Sequence, residues 1–585
     1  LLKWVINILP KNLHLPTTSK LYLNLYWHMH QPDYRDLSTG EYVLPWTYLH
    51  AMKDYSDMVY HLEQNPKARA TFNFVPILLE QLIDYSEQFE QNQVRDPLLG
   101  LLIKEDLSSI TSEQCRLIVE SCFKSHHEKM LSPFPNYQRL LHLFQLVEPM
   151  MIDYDFHYLS AQYKADLLVW YHLAWCGESL RRENKVVQHL MSKGVLFTYE
   201  ERQQLFDVIG DTIQSLIPRY KALMQKGQVE LSTTPYYHPI LPLLLDFTST
   251  KDAMPDAPLP QHARYDDGVN RARAHINSAK KYHEDLFGQV PKGMWPAEGA
   301  VSHAGLSLMA EHGVQWAATG QAVLANSLIK SHMSVNDPLQ YLYQPYKVTN
   351  GKNDVTCFFR DDGLSDKIGF EYAKMHSTDA VNDFMHSLDA ILAATPKGQC
   401  KVVSVILDGE NAWEYYPYNG YYFLKELYEA LANHPAITMT TFSDIVQMQH
   451  TGQLPPAKIL PQISAGSWVY GTFSTWIGSQ AKNLAWDLLC KAKKVYDQTI
   501  NSLTTEQQQA CDRQLAICEG SDWFWWFGDY NASDSVKSFD QLYRRNLINL
   551  YQLLNQPVPD NLHEPISQGG GSSENAGTMR RGQDL

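Results

Sequence analysis

The most regular alternation of apolar and polar positions lies in the segment LYLNLYWHMH, residues 21–30. A period of two is typical of a β-strand, whose successive side chains point to opposite faces. One predicted face is apolar and carries Leu21, Leu23, Leu25, Trp27 and Met29. The other face carries Tyr22, Asn24, Tyr26, His28 and His30. Such a strand fits a barrel whose lumen has a polar end.

A second short strand, ATFNFV at 70–75, is followed by a long stretch in which apolar residues recur at helical spacing. This stretch runs from about residue 80 to about residue 225. It contains more helix than one connection between neighbouring strands requires. We therefore predict a helical insertion between two early strands of a sheet.

Further along, apolar strand-like segments alternate with helical ones. The predicted strands are Gln228–Ser232, a segment ending near Met294, Val314–Ala318, Val355–Arg360, Val402–Leu407 and Ile437–Thr441. Alternation of this kind indicates a parallel sheet, and VVSVIL is apolar on both faces, as buried parallel strands are. We expect a closed TIM-like barrel, with an open doubly wound sheet as the alternative.

The pattern becomes helical again after about residue 455 and ends near residue 556. Beyond that point the chain is rich in Pro, Gly and Ser without apolar periodicity, which predicts a disordered tail. The predicted organisation is an N-terminal extension (1–20), a barrel domain with its insertion (21–455), a C-terminal helical domain (456–556) and a tail (557–585).

Composition adds a hint about the ligand and excludes some partners. Aromatic residues make up 12% of the 585 residues, with 34 Tyr and 14 Trp, and amphipathic rings of this kind are suited to stacking against sugars. The net charge of −15 disfavours binding to nucleic acid or to an anionic membrane surface.

The cysteines and the apolar runs bear on location. None of the eight cysteines forms a CxxC pair, and Cys115/Cys122 and Cys511/Cys518 have the spacing of one helix face, so we expect reduced, buried thiols. No apolar run approaches the roughly 18 residues of a membrane span, and the first residues lack the features of a signal peptide. These patterns predict a cytoplasmic protein.

Three segments place reactive side chains where predicted strands end, the edge of a parallel barrel at which active sites form. His28 and His30 share one face of the first strand and suit a metal ion, a polar substrate or a buried carboxylate. Glu298 lies in GMWPAEG, either in a cleft or as a carboxylate at the N-terminus of the helix that follows.

The third segment is VVSVILDGENAWE, in which Asp408 directly follows a buried strand. Carboxyl groups desolvated at such a place acquire separated pKa values, which acid–base chemistry uses, although a solvated loop is the simpler alternative. Two carboxyls from different strand ends among Trp and Tyr suggest glycoside chemistry. The chain contains neither the GxSxG nor the GxxxxGK[ST] pattern, which disfavours a serine hydrolase and a P-loop enzyme.

Five ordered segments resemble the motifs of glycoside hydrolase family 57, most closely its amylopullulanase-like and α-amylase-like branch. They are HMHQPDY with YVLPWTYLHAMKDY, GQVELSTTPYYHPILPLL, GMWPAEGAVS, VILDGENAWEYYPYNG and AGSWVYGTFSTWIG. They span residues 28–478, and SDWFWWFGDY (521–530) resembles a later stretch of the same branch. The resemblance implies an incomplete (β/α)7 barrel followed by a helical domain that closes one side of the cleft.

The resemblance also implies roles for individual residues. It makes Glu298 the nucleophile and Asp408 the general acid/base of a retaining hydrolase of α-glucans, with no cofactor and no metal. The implied bonds are α-1,4, with α-1,6 bonds as a further candidate. The implied substrate-binding residues are His28, His30, His238, Trp295, Trp413, Trp468 and Trp476. The cluster Trp523, Trp525 and Trp526 is better explained by core packing.

Three alternatives remain open at this point. The same site could serve a 4-α-glucanotransferase or a branching-type transglycosylase. A metal-dependent carbohydrate deacetylase could use His28, His30 and Asp408 as metal ligands. A glycan-binding protein without turnover could keep the Trp-lined cleft. The oligomeric state is not predicted.

Overall fold

The computed structural model describes residues 19–150 and 159–570. Seven parallel strands form a curled, incomplete barrel, which confirms the predicted α/β class. In chain order they are Lys20–Met29, Ala70–Phe74, Val229–Thr233, Gly293–Met294, Trp316–Thr319, Asp354–Phe359 and Cys400–Asp408. Among the described residues, the last two of these strands are joined by one isolated bridge, between Arg360 and Ser404, and not by a ladder, so the barrel is incomplete.

Three shorter strands join this sheet. Ile437–Met439 pairs with Leu21–Leu23, Tyr346–Thr349 runs antiparallel to Asp354–Phe359, and Lys458–Ile459 extends that edge. The antiparallel strand Tyr346–Thr349 was not predicted, since its four residues carry too little pattern to be distinguished from a loop.

The first strand has the two faces that its alternation predicts. The apolar face, Leu21 to Met29 at every second residue, packs into the large core between the sheet and the surrounding helices. Tyr26, on the other face, belongs to a separate aromatic cluster inside the barrel with Trp295, Trp316 and Phe358. Phe442, at the start of helix Phe442–His450, stacks on Phe358 with ring centroids 4.2 Å apart. This helix fills the barrel at the amino ends of the strands, so the carboxyl ends remain for a site.

The predicted helical insertion lies between Ala70–Phe74 and Val229–Thr233. Its longest helix begins with a capping box, in which Thr198 and Glu201 satisfy each other's backbone N–H groups. Its helices are Pro76–Gln91, Pro97–Leu102, Ser112–Ser121, Pro135–Val147, Ala161–Trp175, Glu178–Glu183, Lys185–Lys193 and Tyr199–Gln225.

Further helices connect the strands of the barrel. They are Trp46–His50, Ser56–Gln64, Leu241–Leu245, Gly268–Phe287, His303–Glu311, Gln321–Lys330, Pro338–Tyr341, Asp362–Asp366, Ser377–Ala394 and Tyr421–Asn433. The C-terminal region consists of Gln480–Thr499, Thr505–Cys518, Ser521–Trp526 and Ser533–Leu553.

The segment predicted as a disordered tail is partly ordered. Residues 557–570 include a short turn, Asp560–His563, in which Leu562 is buried. The backbone N–H groups of Ile566 and Ser567 donate to Asp540 in the last long helix. The sequence did not show this because backbone hydrogen bonds to one carboxylate leave no apolar period. The rest of the tail (571–585), residues 1–18 of the N-terminal extension and residues 151–158 lie outside the described residues.

All eight cysteines are unpaired, and all but Cys400 are buried, as expected for Cys115, Cys122, Cys511 and Cys518. Within the described residues, no helix combines the length and the apolar character that crossing a bilayer requires.

A buried carboxylate fixes the C-terminal helices to the barrel. Glu519, at the end of helix Thr505–Cys518, accepts hydrogen bonds from Arg271 Nε at 2.7 Å, His275 Nε2 at 2.7 Å and Tyr265 Oη at 2.5 Å. Although burial alone raises the pKa of Glu519, Arg271 and His275 more than offset it and lower the pKa to about 2. The carboxylate is therefore ionised and paired at ordinary pH.

We expect Glu519→Gln to reduce the free energy of unfolding by about 3–5 kcal/mol, because Arg271 would lose its buried anion and keep only the half-exposed Asp512. The depressed pKa means that this contribution is present above the ordinary value of 4.5 and is lost as the pH falls towards 2. Urea denaturation at pH 7 measures the loss. The exposed Glu506→Gln in the same helix is the control, with a change of no more than about 0.5 kcal/mol. Equal losses in the two variants would contradict a stabilising role for Glu519.

Candidate active site

The site lies at the carboxyl ends of the barrel strands. In the parallel register, His28 is opposite Asp408 on one side and Asn73 on the other. Thr233 pairs with Met294, after which the chain turns through Trp295 towards Glu298. The two predicted catalytic carboxyls, Glu298 and Asp408, both line one cavity at this edge. Sheet pairing therefore brings distant parts of the sequence to one edge of the barrel.

Glu298 is held in a strained turn. Its φ of 57° lies in the left-handed region, which a residue with a Cβ rarely adopts. Trp468 holds this turn through two hydrogen bonds. Its backbone N–H donates to the Glu298 carbonyl, and its Nε1 donates to Glu298 Oε2, each at 3.2 Å. The following helix, His303–Glu311, is capped by Ser302, so Glu298 is not needed as its N-terminal carboxylate. The carboxyl is instead presented to the cavity, with 15% of the side chain exposed.

Both carboxyls have raised pKa values. Burial raises the pKa of Asp408 to about 6, against hydrogen bonding from Asn411 and the charges of His30 and Arg360, which lower it. Burial, and then the negative charges of Asp408 and Asp522, raise the pKa of Glu298 well above its ordinary value. Two carboxyls that interact in this way titrate as a coupled pair and hold one proton between them over a range of pH.

A third carboxyl, Glu410, also lines the cavity. It is 3% exposed, and its Oε1 accepts from the His30 backbone N–H and from Gln31 Nε2, each at 3.3 Å. Burial and the charge of Asp408 raise its pKa well above the ordinary range. Glu414, from the same sequence motif, lies elsewhere, beside Lys53, and its pKa rises to about 7 because of burial.

The three predicted histidines form a stack beside the carboxyls. The ring centroids of His30 and His238 are 3.8 Å apart, and those of His28 and His238 are 5.1 Å apart. Burial and the positive charge of His30 lower the pKa of His28 to about 3, and burial lowers the pKa of His238 well below its ordinary value. His28 and His238 are therefore neutral at ordinary pH.

Hydrogen bonds orient these rings. His28 Nδ1 lies 2.7 Å from Asn73 Oδ1 and donates to it, which leaves Nε2 as an acceptor. His30 Nε2 lies 2.8 Å from Asp522 Oδ1, and His238 Nδ1 lies 2.8 Å from Ser521 Oγ. Within the described residues, the buried Nε2 of His238 and Nδ1 of His30 have no hydrogen-bond partner. Neither atom is exposed to solvent, so a ligand could bond to it only after the surrounding side chains moved.

Ser521 and Asp522 are functional candidates that the sequence analysis missed. They come from the C-terminal helix Ser521–Trp526, nearly 500 residues after His30, and only the fold brings them to the barrel. The available signal is the segment SDWFWWFGDY, in which these two polar residues directly precede the tryptophans. One atom each of His30, His238 and Asp522 lie within 4.8 Å of one another, so this trio, rather than His28, His30 and Asp408, could hold a metal ion.

The aromatic residues divide differently from the prediction. Trp468, Trp525 and Trp526 line the cavity. Trp295 is fully buried beneath it, with its ring 5.1 Å from that of Trp468. Trp523 donates from Nε1 to a backbone carbonyl in the core, as core packing requires.

Trp413 and Trp476 were predicted to bind substrate, but the structure places both away from the cavity lining. Trp413 is 1% exposed, donates from Nε1 to the Gly409 carbonyl at 2.8 Å and packs against Trp27. Trp476 is fully buried in the large core. Through its hydrogen bond to Gly409, Trp413 holds the turn that follows Asp408. Neither the Trp413 indole nor the Trp476 indole is available to a ligand in this conformation.

Paired carboxyls at the carboxyl ends of barrel strands, beside aromatic walls and neutral histidines, are typical of a glycosidase. Residues 24–463 match the glycosyl hydrolase family 57 profile, which covers most of the chain. The chain belongs to glycosyl hydrolase family 57 and is a glycosidase-class enzyme. No curated protein sequence matches the chain.

Solved structures share the fold at low sequence identity. A family 57 branching enzyme from Thermococcus kodakaraensis superimposes with a TM-score of 0.57 at 15% identity, over 91% of this chain and 90% of that one. A branching enzyme of the same type from Pyrococcus horikoshii gives 0.55 at 14%, over 96% and 99%. An α-amylase from Thermotoga maritima gives 0.52 at 13%, over 93% and 95%.

Proposed function

We propose that the protein is a retaining hydrolase of α-1,4-glucosidic bonds in α-glucans, with Glu298 as nucleophile and Asp408 as general acid/base. The observation that carries this proposal is the coupled pair of buried carboxyls in one aromatic-walled cavity. Family membership supports glycoside chemistry, and the enzymes with similar folds include branching enzymes and an α-amylase.

The reaction needs two displacements at the anomeric carbon. Asp408 gives its proton to the glycosidic oxygen while the Glu298 carboxylate attacks, so the bond to the leaving sugar breaks as the glycosyl–Glu298 ester forms. Asp408, now ionised, takes a proton from water, and the resulting oxygen nucleophile releases the sugar from Glu298. The carboxyls end in their initial protonation states.

This mechanism requires that the one proton shared by Glu298 and Asp408 resides on Asp408. Burial favours a protonated Glu298, whereas the Trp468 Nε1–H group, which donates to Glu298 Oε2, favours the ionised form. A glycosidic oxygen close to Asp408 would accept a hydrogen bond from the protonated Asp408 carboxyl. This bond would stabilise the state in which Asp408 carries the proton and Glu298 is ionised. In the protein that carries one proton on this pair, Glu298 is therefore ionised in only a fraction of the molecules. Bound substrate increases that fraction.

The remaining cavity residues suit a sugar ring. Neutral His28 lines the cavity, and its Nε2 can accept a hydrogen bond from a sugar hydroxyl group. The indoles of Trp468, Trp525 and Trp526 offer flat apolar surfaces to the C–H faces of the sugar. The Asp522 carboxylate holds His30 in place at 2.8 Å.

We expect Glu298→Gln to lower kcat on maltodextrins by more than about 10³-fold, because the amide cannot form the glycosyl ester. Binding of maltooligosaccharides, measured by calorimetry, should persist. The exposed Glu429→Gln is the control and should keep the original rate. A Glu298→Gln variant with unchanged kcat would rule out Glu298 as nucleophile.

The coupled pair predicts a bell-shaped dependence of kcat/KM on pH. Activity should fall on the acid side near pH 6, where Asp408 begins to ionise in the doubly protonated pair, and on the alkaline side when the second proton leaves. Since the Asp522 charge raises the pKa of Glu298, Asp522→Asn should move the alkaline limb to lower pH. The exposed Asp529→Asn should leave it in place. An alkaline limb that is identical in all three proteins would contradict this assignment.

Product analysis distinguishes the alternatives that share this site. Shorter maltodextrins from maltoheptaose would support hydrolysis, whereas chains longer than the starting material would show transfer to another sugar. Release of maltotriose from pullulan would show cleavage of α-1,6 bonds as well. Loss of activity after treatment with a chelator, restored by metal, would instead favour the metal-dependent deacetylase.

A further inference from the structure

A cluster of tyrosines lies on the surface beyond the cavity. Tyr418 is 57% exposed and Tyr422 is 41% exposed, and their ring centroids are 5.5 Å apart with the rings nearly perpendicular. Neither residue lines the cavity that holds Glu298 and Asp408. Large exposed aromatic rings with a polar surround are typical of a binding surface.

The backbone holds Tyr418 towards solvent at a cost. Tyr418 and Asn419 have φ values of 54°, and Gly420 follows with a φ of 71°, so three consecutive residues occupy the left-handed region. For a bulky residue this conformation is strained and persists only where the surroundings enforce it.

Hydrogen bonds of the Asn419 side chain hold this left-handed turn in place. Its Oδ1 accepts from Lys53 Nζ at 3.0 Å, and its Nδ2 donates to Asp57 Oδ2 at 3.0 Å. Lys53 and Asp57 are both buried and belong to the helical segment at the start of the barrel. The strained turn is thus anchored from inside the protein, and the position of the Tyr418 ring follows from it.

The surround of the cluster is polar. The Arg182 guanidinium lies over the rings of Tyr421 and Tyr422, 4.4 and 5.0 Å from their centroids. It donates to Tyr422 Oη at 3.0 Å and is paired with Glu178 at 2.8 Å. Arg182 therefore fixes the Tyr422 ring, and it shares the Glu178 carboxylate with Arg181, which lies 3.4 Å from it. Exposed aromatic rings beside hydroxyl and guanidinium groups suit a ligand that has an apolar face and hydroxyl groups, such as a sugar.

We propose that Tyr418 and Tyr422 form a second α-glucan-binding site, separate from the active-site cavity, which holds a more distant part of a polysaccharide. The inference rests on the proposed function in one respect, the choice of α-glucan as the carbohydrate. The stretch 408–420 carries Asp408 at one end and Tyr418 near the other, so the two sites are linked by a short, internally anchored segment. On this proposal, a chain long enough to reach from the cavity to the tyrosines contacts both sites, whereas maltotriose contacts one.

The test uses binding of the whole protein to glycogen and to maltotriose in the Glu298→Gln background. We expect Tyr418→Ala and Tyr422→Ala each to weaken glycogen binding about threefold to tenfold in affinity electrophoresis, as the loss of one stacking contact predicts. Binding of maltotriose, measured by calorimetry, should not change. Tyr418→Phe keeps the ring and should bind glycogen as well as the parent protein.

Two further comparisons distinguish a glucan site at the tyrosines from a general effect of trimming the surface. Ile459→Ala removes another exposed apolar side chain, which is 64% exposed, and should leave glycogen binding unchanged. Tyr422→Ala leaves the strained turn intact, so it reports on binding even if Tyr418→Ala disturbs the fold. Unchanged glycogen binding in both tyrosine variants would overturn the proposal, as would equal losses for glycogen and maltotriose.

The outcome is independent of the catalytic assignment. A Glu298→Gln protein that still turns over maltodextrin contradicts the proposed nucleophile but leaves the binding comparison interpretable. Conversely, if the Glu298→Gln protein is inactive and neither Tyr418→Ala nor Tyr422→Ala changes its binding to glycogen, only the second site is refuted. If the tyrosine substitutions change self-association in sedimentation velocity and not glycogen binding, the surface is a protein contact and the proposal is wrong.

Discussion

The active site depends on the attachment of the C-terminal helices to the barrel through Glu519. This buried carboxylate is ionised because Arg271 and His275 bind it, and both belong to the barrel helix Gly268–Phe287. Glu519 lies only three residues before Asp522, so the same attachment brings Asp522 to His30 and the indoles that follow it to the cavity wall. Barrel and helical region therefore each supply part of a site that neither forms alone.

Desolvation gives the carboxyls of this site their chemical properties. Glu298 occupies a left-handed turn held by Trp468, and Asp408 ends a strand that pairs with the first strand at His28. Burial raises both pKa values, and their mutual repulsion keeps one proton on the pair, which is the state that the proposed double displacement uses. The strain at Glu298 is stored in a turn whose position is fixed by contacts on both sides.

The sequence predicted the parts of the structure that local pattern controls. Alternation in the first strand predicted both of its faces, and the apolar run before Asp408 predicted a buried parallel strand that ends at this carboxyl. Asp522 was not predicted because its partner lies nearly 500 residues away, and no local period records such a contact. The aromatic residues were misjudged for a similar reason: Trp413 and Trp525 have the same side chain, and only tertiary packing buries the first in the core and places the second at the cavity.

The central claim, that Glu298 becomes covalently glycosylated, is tested most directly by trapping the intermediate with 5-fluoro-α-glucosyl fluoride. The fluorine at C5 slows release of the sugar, so the ester should accumulate. After proteolysis, mass spectrometry should find one fluoroglucosyl group, carried by the peptide that contains Glu298. The same group on a peptide without Glu298, or rapid turnover of the reagent with no labelled peptide even after quenching within milliseconds, would contradict the proposed mechanism.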